Sequence, residues 1–165
     1  MRTDPFCEEL TGLLPRLRRF ARGLTHDVAD ADDLCQQTVE RALSSRHQWQ
    51  EGTRLDTWVY TIMRNRWIDE VRARTRRAQT FAHEDEGVNV GMAGHRDAEN
   101  LVELANVDRA LARLPPEQRE AVMLVLVEGF AYKEAAQIIG VPQGTLTSRL
   151  GRGREALLRE LGEQA

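Results

Sequence analysis

Apolar residues recur along most of this chain at steps of three and four, the spacing that gathers them on one side of an α-helix. Phe6, Leu10, Leu13, Leu14, Leu17, Phe20 and Leu24 form the first such stripe. Pro15 falls inside it. Without an N–H, and crowding the preceding turn, it is expected to start or kink a helix there. Asp30 then offers an N-cap to a second helix with Leu34, Thr38, Val39, Ala42 and Leu43 as its apolar side. The acids of its first turn sit where the helix dipole favours them. A polar stretch, Ser44–Thr53, breaks the pattern and carries Gly52 near its end. A third run extends from Leu55 to about Arg77 with a ragged stripe. Leu55, Val59, Ile62 and Met63 share one side, while Trp67, Ile68 and Val71 rotate away from it. That pattern predicts two short helices, or one helix that touches different neighbours along its length.

Periodicity disappears over Ala78–Arg96, which contains Gly87, Gly91 and Gly94 and several acids, a composition suited to a flexible linker. It returns at about Ala98 with Leu101, Leu104, Val107, Leu111 and Leu114, and stops at Pro115-Pro116. Three more helices are expected over Glu117–Glu128, Tyr132–Ile139 and Thr145–Leu161, separated by Gly129 and by Gly140-Val141-Pro142. No segment alternates as a strand would, and there is no internal repeat. The fold class is therefore all-α, with two small helical domains, residues 1–78 and 98–165, joined by an acidic linker, residues 79–97.

Composition narrows the function. A chain of 165 residues holds one average domain or two small ones, each with a thin core. No apolar run approaches membrane-spanning length. Arg16, Arg18, Arg19 and Arg22 interrupt what would otherwise be an N-terminal leader. A cytoplasmic protein without membrane insertion is expected. Cys7 and Cys35 fall among apolar-spaced residues and read as reduced, half-buried thiols. With no CxxC pair and scattered histidines, neither a metal nor another cofactor is expected. The net charge of −3 argues against nucleic-acid binding only until its distribution is considered. Arg54–Arg77 carries seven arginines against three acids, a net of +4. Asp27–Glu40 carries five acids and no Lys or Arg, and His83–Glu103 six acids against one arginine, each a net of −5.

The sharpest local signal runs from Tyr132 through Ala136, Gly140 and Pro142 to Leu150. It has the spacing of a helix-turn-helix. Ala136 is small where two helices cross. Gly140 stands four residues later, where the chain must turn with positive φ. Ile139, Val141, Leu146 and Leu150 are placed to fill the core between the helices. The second helix then presents Gln143, Thr145, Thr147, Ser148, Arg149, Arg152 and Arg154. These hydroxyls, amide and guanidinium groups suit phosphates and guanine edges in a major groove. By itself the motif is also compatible with a helical hairpin bearing a solvated basic face.

These residues also carry a family resemblance. Ala110-Leu-Ala-Arg-Leu-Pro-Pro-Glu-Gln-Arg-Glu-Ala-Val, Glu128-Gly-Phe-Ala-Tyr-Lys-Glu-Ala-Ala and Gly144-Thr-Leu-Thr-Ser-Arg-Leu resemble the C-terminal domain of the extracytoplasmic-function sigma factors of the sigma-70 family. Asp30-Ala-Asp-Asp-Leu-Cys-Gln-Gln-Thr-Val-Glu-Arg-Ala-Leu is similar to that family's polymerase-binding helix. Leu55-Asp-Thr-Trp-Val-Tyr-Thr-Ile-Met-Arg-Asn-Arg-Trp-Ile-Asp-Glu-Val-Arg is similar to its promoter-melting helix. The departures are small. Cys35 and Gln37 stand where the family often has an apolar residue and Glu, and Gly151 lowers helix propensity inside the recognition helix. The overall pattern also resembles the general-stress members of the family.

The resemblance implies roles. Asp30, Asp33, Leu34, Gln36, Gln37 and Glu40 would contact the clamp helices of core RNA polymerase. The loop Arg46–Arg54 would capture a flipped base of the −10 element, with Arg54, Trp58, Asn65, Arg66, Arg72, Arg76 and Arg77, and Arg74 beside them, on bases and phosphates. Aromatic and guanidinium groups suit unstacked bases. Trp58 and Trp67 read as readily as core residues. Gln143, Thr145, Thr147, Ser148, Arg149, Arg152 and Arg154 would read the −35 element. The acidic linker would follow the path of RNA, as a plain spacer or as an RNA mimic. The expected function is transcription initiation at specific promoters, with core polymerase, promoter DNA and an anti-sigma factor as partners. The rival within the fold is a sigma-like decoy that sequesters an anti-sigma factor, which would not need Arg149, Arg152 and the Arg72–Arg77 cluster. A plain helix-turn-helix repressor leaves Asp30–Glu40 and Leu55–Arg72 without a task. Catalysis finds only the pair His26-Asp27, with no nucleophile or further ligand.

Overall fold

The computed structural model describes residues 2–80 and 98–163, and every regular element among them is helical. The first helix, α1, spans Pro5–Thr25. The Asp4 carboxylate accepts from the Phe6 N–H at 3.1 Å, and Pro5 occupies a first-turn position where no N–H is needed. Pro15 does not start a helix: α1 runs through it without a break. Phe6, Leu10, Leu13, Leu17, Phe20 and Leu24 are buried on both sides of it, so one continuous packing face carries the helix across the lost hydrogen bond.

The second helix, α2, spans Val28–Ser44, and its cap is Asp27 rather than Asp30. The Asp27 carboxylate accepts from the Asp30 N–H at 2.8 Å, which leaves the Asp30 side chain free to act from the first turn. Ala31, Leu34, Cys35, Thr38 and Ala42 face inward, while Leu43 is exposed. The buried Thr38 hydroxyl is satisfied by donating to the Leu34 carbonyl at 2.7 Å. After a 3₁₀ turn over Arg46–Gln48, α3 runs unbroken through Leu55–Thr80. Of the two readings of its ragged stripe, a single helix with changing neighbours is the one realised. Leu55, Val59, Tyr60 and Met63 are buried in its first half, and Val71 lies exposed in its second. Gln79 and Thr80, assigned to the linker from sequence, complete this helix, and the rest of the expected linker lies outside the described residues.

In the C-terminal half α4 spans Ala98–Arg113 and α5 spans Pro116–Val122. A π-helical turn follows over Met123–Val127, so the expected helix Glu117–Glu128 is interrupted in its second half. The pair α6, Tyr132–Ile139, and α7, Gln143–Glu163, completes the chain. Gly140 adopts φ 77°, and its N–H donates to the Ala136 carbonyl at 2.8 Å. This is the left-handed stop required between two helices packed as a helix-turn-helix. Ile138, Ile139, Leu146 and Leu150 close the core beneath it.

The two halves share one continuous apolar cluster. Helix α1 lies against α4, α5 and the π turn, and α3 lies against α6. Phe130 packs edge-on against Tyr60 at 4.9 Å between ring centroids. Gly23 admits the Met123 side chain so closely that a Cβ there would lie 2.3 Å from its terminal carbon. Periodicity could not reveal this seam, because a stripe marks which face is buried and not which neighbour buries it.

Candidate nucleic-acid interface

Three surfaces hold the residues singled out from sequence. On α2 the acidic side divides into an inner and an outer row. Asp33, Gln36, Gln37 and Glu40 are exposed, and Gln36 donates to Glu40 at 3.1 Å. Leu34 belongs to the inner row. At 5% exposure it is built into the core, so the expected polymerase contact by this side chain is withdrawn. Asp30 is half-buried and clamped by both terminal nitrogens of Arg74, at 2.9 and 3.0 Å. That bidentate guanidinium holds the Asp30 carboxyl below the usual aspartate value. Arg74 also donates to Glu70 at 2.9 Å and lies over the Trp67 ring, so it is committed within the fold and not presented to phosphates as expected.

On α3, Trp58, Asn65, Arg72 and Arg76 follow one another at steps of seven, seven and four, which places them on one helix face. Asn65, Arg72 and Arg76 are exposed along it. Trp58 is half-buried edge-on against Phe6, with centroids 6.4 Å apart. It is part of the packing, like Trp67. Arg66 leans onto Gln37 at 3.1 Å, which ties a DNA candidate to a polymerase candidate. Arg77 reaches Glu70 at 3.2 Å. Arg54 departs from the group. It forms ion pairs with Asp56, at 2.7 Å, and with Glu134 of α6, and lies over the Phe130 ring. Burial pushes the Asp56 carboxyl up, but Arg54, the Thr57 N–H and Arg16 outweigh it and hold the group below the usual aspartate value.

On α7 the packing face is Leu146, Leu150 and Gly153. Gln143, Thr147, Ser148, Arg152 and Arg154 are exposed, and Thr145 and Arg149 are half-buried. Thr145, Ser148, Arg149 and Arg152 line one side at helical spacing. Among the described residues none of Arg149, Arg152 and Arg154 enters an ion pair, and Arg152 and Arg154 face outward. The Thr147 hydroxyl donates to the Gln143 carbonyl at 2.9 Å.

Several working residues escaped the sequence reading. Glu128 and Tyr60 are buried polar partners across the seam. The only available signal was an acid standing directly after an apolar run, and nothing linked it to Tyr60. Trp49, in the loop after α2, packs on Phe6 at 5.6 Å and keeps a buried indole N–H without a partner. Gly153 allows α7 to approach α5: an added Cβ would meet Val122 at 2.8 Å and the Gln118 carbonyl at 3.0 Å.

Comparison with known proteins follows the same division. The family model for Sigma-70 region 2 matches residues 10–77, and that for Sigma-70, region 4 matches residues 104–157. The chain is 35% identical over 155 residues to the ECF RNA polymerase sigma factor EcfG of Rhodopseudomonas palustris (strain TIE-1), covering 94% of this chain and 84% of that one. It is 32% identical over 160 residues to the RNA polymerase sigma factor CarQ of Myxococcus xanthus, covering 97% and 91%. The sigma factor RpoE of Bartonella quintana, solved in complex with the anti-sigma factor NepR, superposes with a TM-score of 0.85 at 34% identity over 97% of this chain and 98% of that one. CnrH, solved with the cytosolic domain of CnrY, shares the fold at a TM-score of 0.72 and 23% identity.

Proposed function

The chain belongs to the sigma-70 family of RNA polymerase sigma factors, in its extracytoplasmic-function branch, and from that premise we propose how its surfaces divide the work of transcription initiation. The exposed row of α2, Asp33, Gln36, Gln37 and Glu40, docks on the clamp helices of core polymerase. The α3 face of Asn65, Arg72 and Arg76, with the loop before it, engages the −10 element as it opens. The outer side of α7, led by Arg149 and Arg152, reads the −35 element in the major groove. The observation that carries this reading is the uncompensated arginine face of α7 in the same chain as the acidic outer row of α2. A decoy has use for the second surface and none for the first.

The role is that of a transcription subunit and not an enzyme, and its place is the cytoplasm, where polymerase works. Its regulator is a small anti-sigma protein, as in the solved complex of the relative RpoE. The test is binding of fluorescently labelled protein to core polymerase by anisotropy. Wild type should bind tightly. Asp33→Arg with Glu40→Arg should weaken binding at least tenfold while leaving the helical circular dichroism unchanged. Equal affinity of the two proteins would remove α2 from the docking surface.

A further inference from the structure

The loop between α2 and α3 is held at its start by the first turn of α1. Asp4, the cap of α1, presents its carboxylate to Arg46, the first residue of the 3₁₀ turn. One terminal nitrogen of that guanidinium donates to Asp4 Oδ1 at 2.9 Å, and the other pairs with Oδ2. The guanidinium also lies over the Phe6 ring, 4.7 Å from its centroid. Trp49, three residues on, packs on the same ring at 5.6 Å, and Trp58 of α3 meets it edge-on at 6.4 Å. Phe6 is 3% exposed, so it is a fixed post around which loop and helix are set. The far end of the loop is tied separately, by Arg54 on Asp56.

Between these anchors Gln50, Glu51, Gly52 and Thr53 are exposed. The Thr53 N–H and hydroxyl both donate to the Gln50 carbonyl, at 3.2 and 2.6 Å, and Gly52 turns the chain at φ 86°. These bonds shape the tip, but its position is inherited from the anchors. A segment that catches a transient, unstacked base gains from being ordered beforehand, because ordering it on contact costs affinity. An exposed ion pair alone would order little. Here the pair is bidentate, it is seated on an aromatic face, and the ring beneath it carries the next anchor of the loop.

We propose that Asp4, Phe6 and Arg46 form a brace that sets the −10 loop. The first turn of α1 then belongs to the promoter-opening apparatus, and Arg46 is a positioning residue instead of a DNA contact. The inference rests on the functional reading above, in which this loop engages the −10 element. Both arginines of the loop, Arg46 and Arg54, are spent within the protein. The tip meets the bases with the Gln50 amide, the Thr53 hydroxyl and backbone groups, which read edges and not charge.

One substitution gives opposite signs for the two roles of Arg46. Asp4→Ser keeps a capping oxygen for α1 and removes the carboxylate from Arg46. Were Arg46 a DNA contact, losing Asp4 would release it to the phosphates and speed opening. As part of a brace, its release slows opening.

The experiment has two arms. In the first, hydrogen exchange of the full chain is followed by mass spectrometry. Arg46→Ala and Asp4→Ser should each raise exchange over residues 46–53 by roughly threefold or more, with α2 and the body of α3 unchanged. In the second, each protein is assembled with core polymerase. Opening is timed on a promoter fragment carrying 2-aminopurine in its −10 element, taken from a start site mapped with the wild-type protein. Each variant should slow opening roughly threefold or more, while its affinity for core polymerase stays that of wild type. The double variant should be no slower than the slower single one. Faster opening by Asp4→Ser, opening at the wild-type rate in both variants, or unchanged loop exchange overturns the brace. So does a fall in polymerase affinity that matches the fall in opening, the mark of a merely structural role. Wild-type holoenzyme that opens no promoter, with the loop loosened in both variants, removes the functional reading and leaves the brace as a feature of the fold.

Discussion

Replacing Gly153 by alanine should destabilise the chain, whereas replacing Gly151, two residues earlier in α7, should stabilise it. Both glycines lie inside the helix, and alanine at either position gains about 1 kcal/mol of helix propensity. Their surroundings differ. Nothing lies within 4 Å of a Cβ at Gly151. A Cβ at Gly153 would stand 2.8 Å from Val122 Cγ2, 3.0 Å from the Gln118 carbonyl oxygen and 3.2 Å from Gln118 Cβ. Val122 is 1% exposed, and a β-branched side chain has little freedom to turn aside. The carbonyl is backbone, so relief requires α5 and α7 to move apart, an overpacking cost of about 1–3 kcal/mol. The net for Gly153→Ala is a loss of up to about 2 kcal/mol, or as much as roughly 8 °C in Tm. Gly151→Ala should gain roughly 2–4 °C. Thermal unfolding followed by circular dichroism at 222 nm compares the two directly. A rise in Tm for Gly153→Ala equal to that for Gly151→Ala would refute the close approach of α5 and α7.

Other consequences concern DNA and acid. Arg149→Ala should weaken holoenzyme binding to its −35 sequence by about 1–3 kcal/mol and relax preference at one base position, measured by mobility shift on a panel of single-base variants. Arg76→Ala should instead weaken binding to all sequences alike, with a log–log salt slope shallower by about 1. Arg74 holds Asp30 below the ordinary aspartate value, so the pairing contributes stability above that ordinary value and loses it as pH falls through the folded value. Urea midpoints at pH 5 and pH 3 should therefore differ less in Asp30→Asn than in wild type. An equal drop in both would assign acid sensitivity elsewhere, with Asp56 the next group to examine.

The helices were legible wherever one neighbour covers one face. The stripe from Phe6 to Leu24 and the turn at Gly140 are determined by nearby residues, and both appear where the periodicity places them. Pro15 does not end the helix, because its penalty is local and the packing that offsets it is not. Asp30 reads as a cap because it is an acid at the head of the segment that leads to Leu34. Asp27 wins because its carboxylate reaches the free N–H of the first turn. Exposure of the site residues was partly legible. Spacing puts Asn65, Arg72 and Arg76 on one face, but nothing local shows that Arg74 is spent on Asp30 or Arg54 on Glu134. Those are pairings across 44 and 80 residues of chain. The Glu128 cluster is the extreme case, since its partners come from two helices of the other half.

The central claim, that this chain directs polymerase to promoters, is tested most directly by run-off transcription. Core RNA polymerase of the native host is mixed with sheared genomic DNA of that host, with and without the protein, and the 5′ ends of the transcripts are mapped. The account predicts discrete start sites that appear only with the protein and share upstream sequence at −10 and −35, the latter signal weakening with Arg149→Ala. Transcript ends identical with and without the protein, from polymerase shown to be active with another sigma factor, would contradict it.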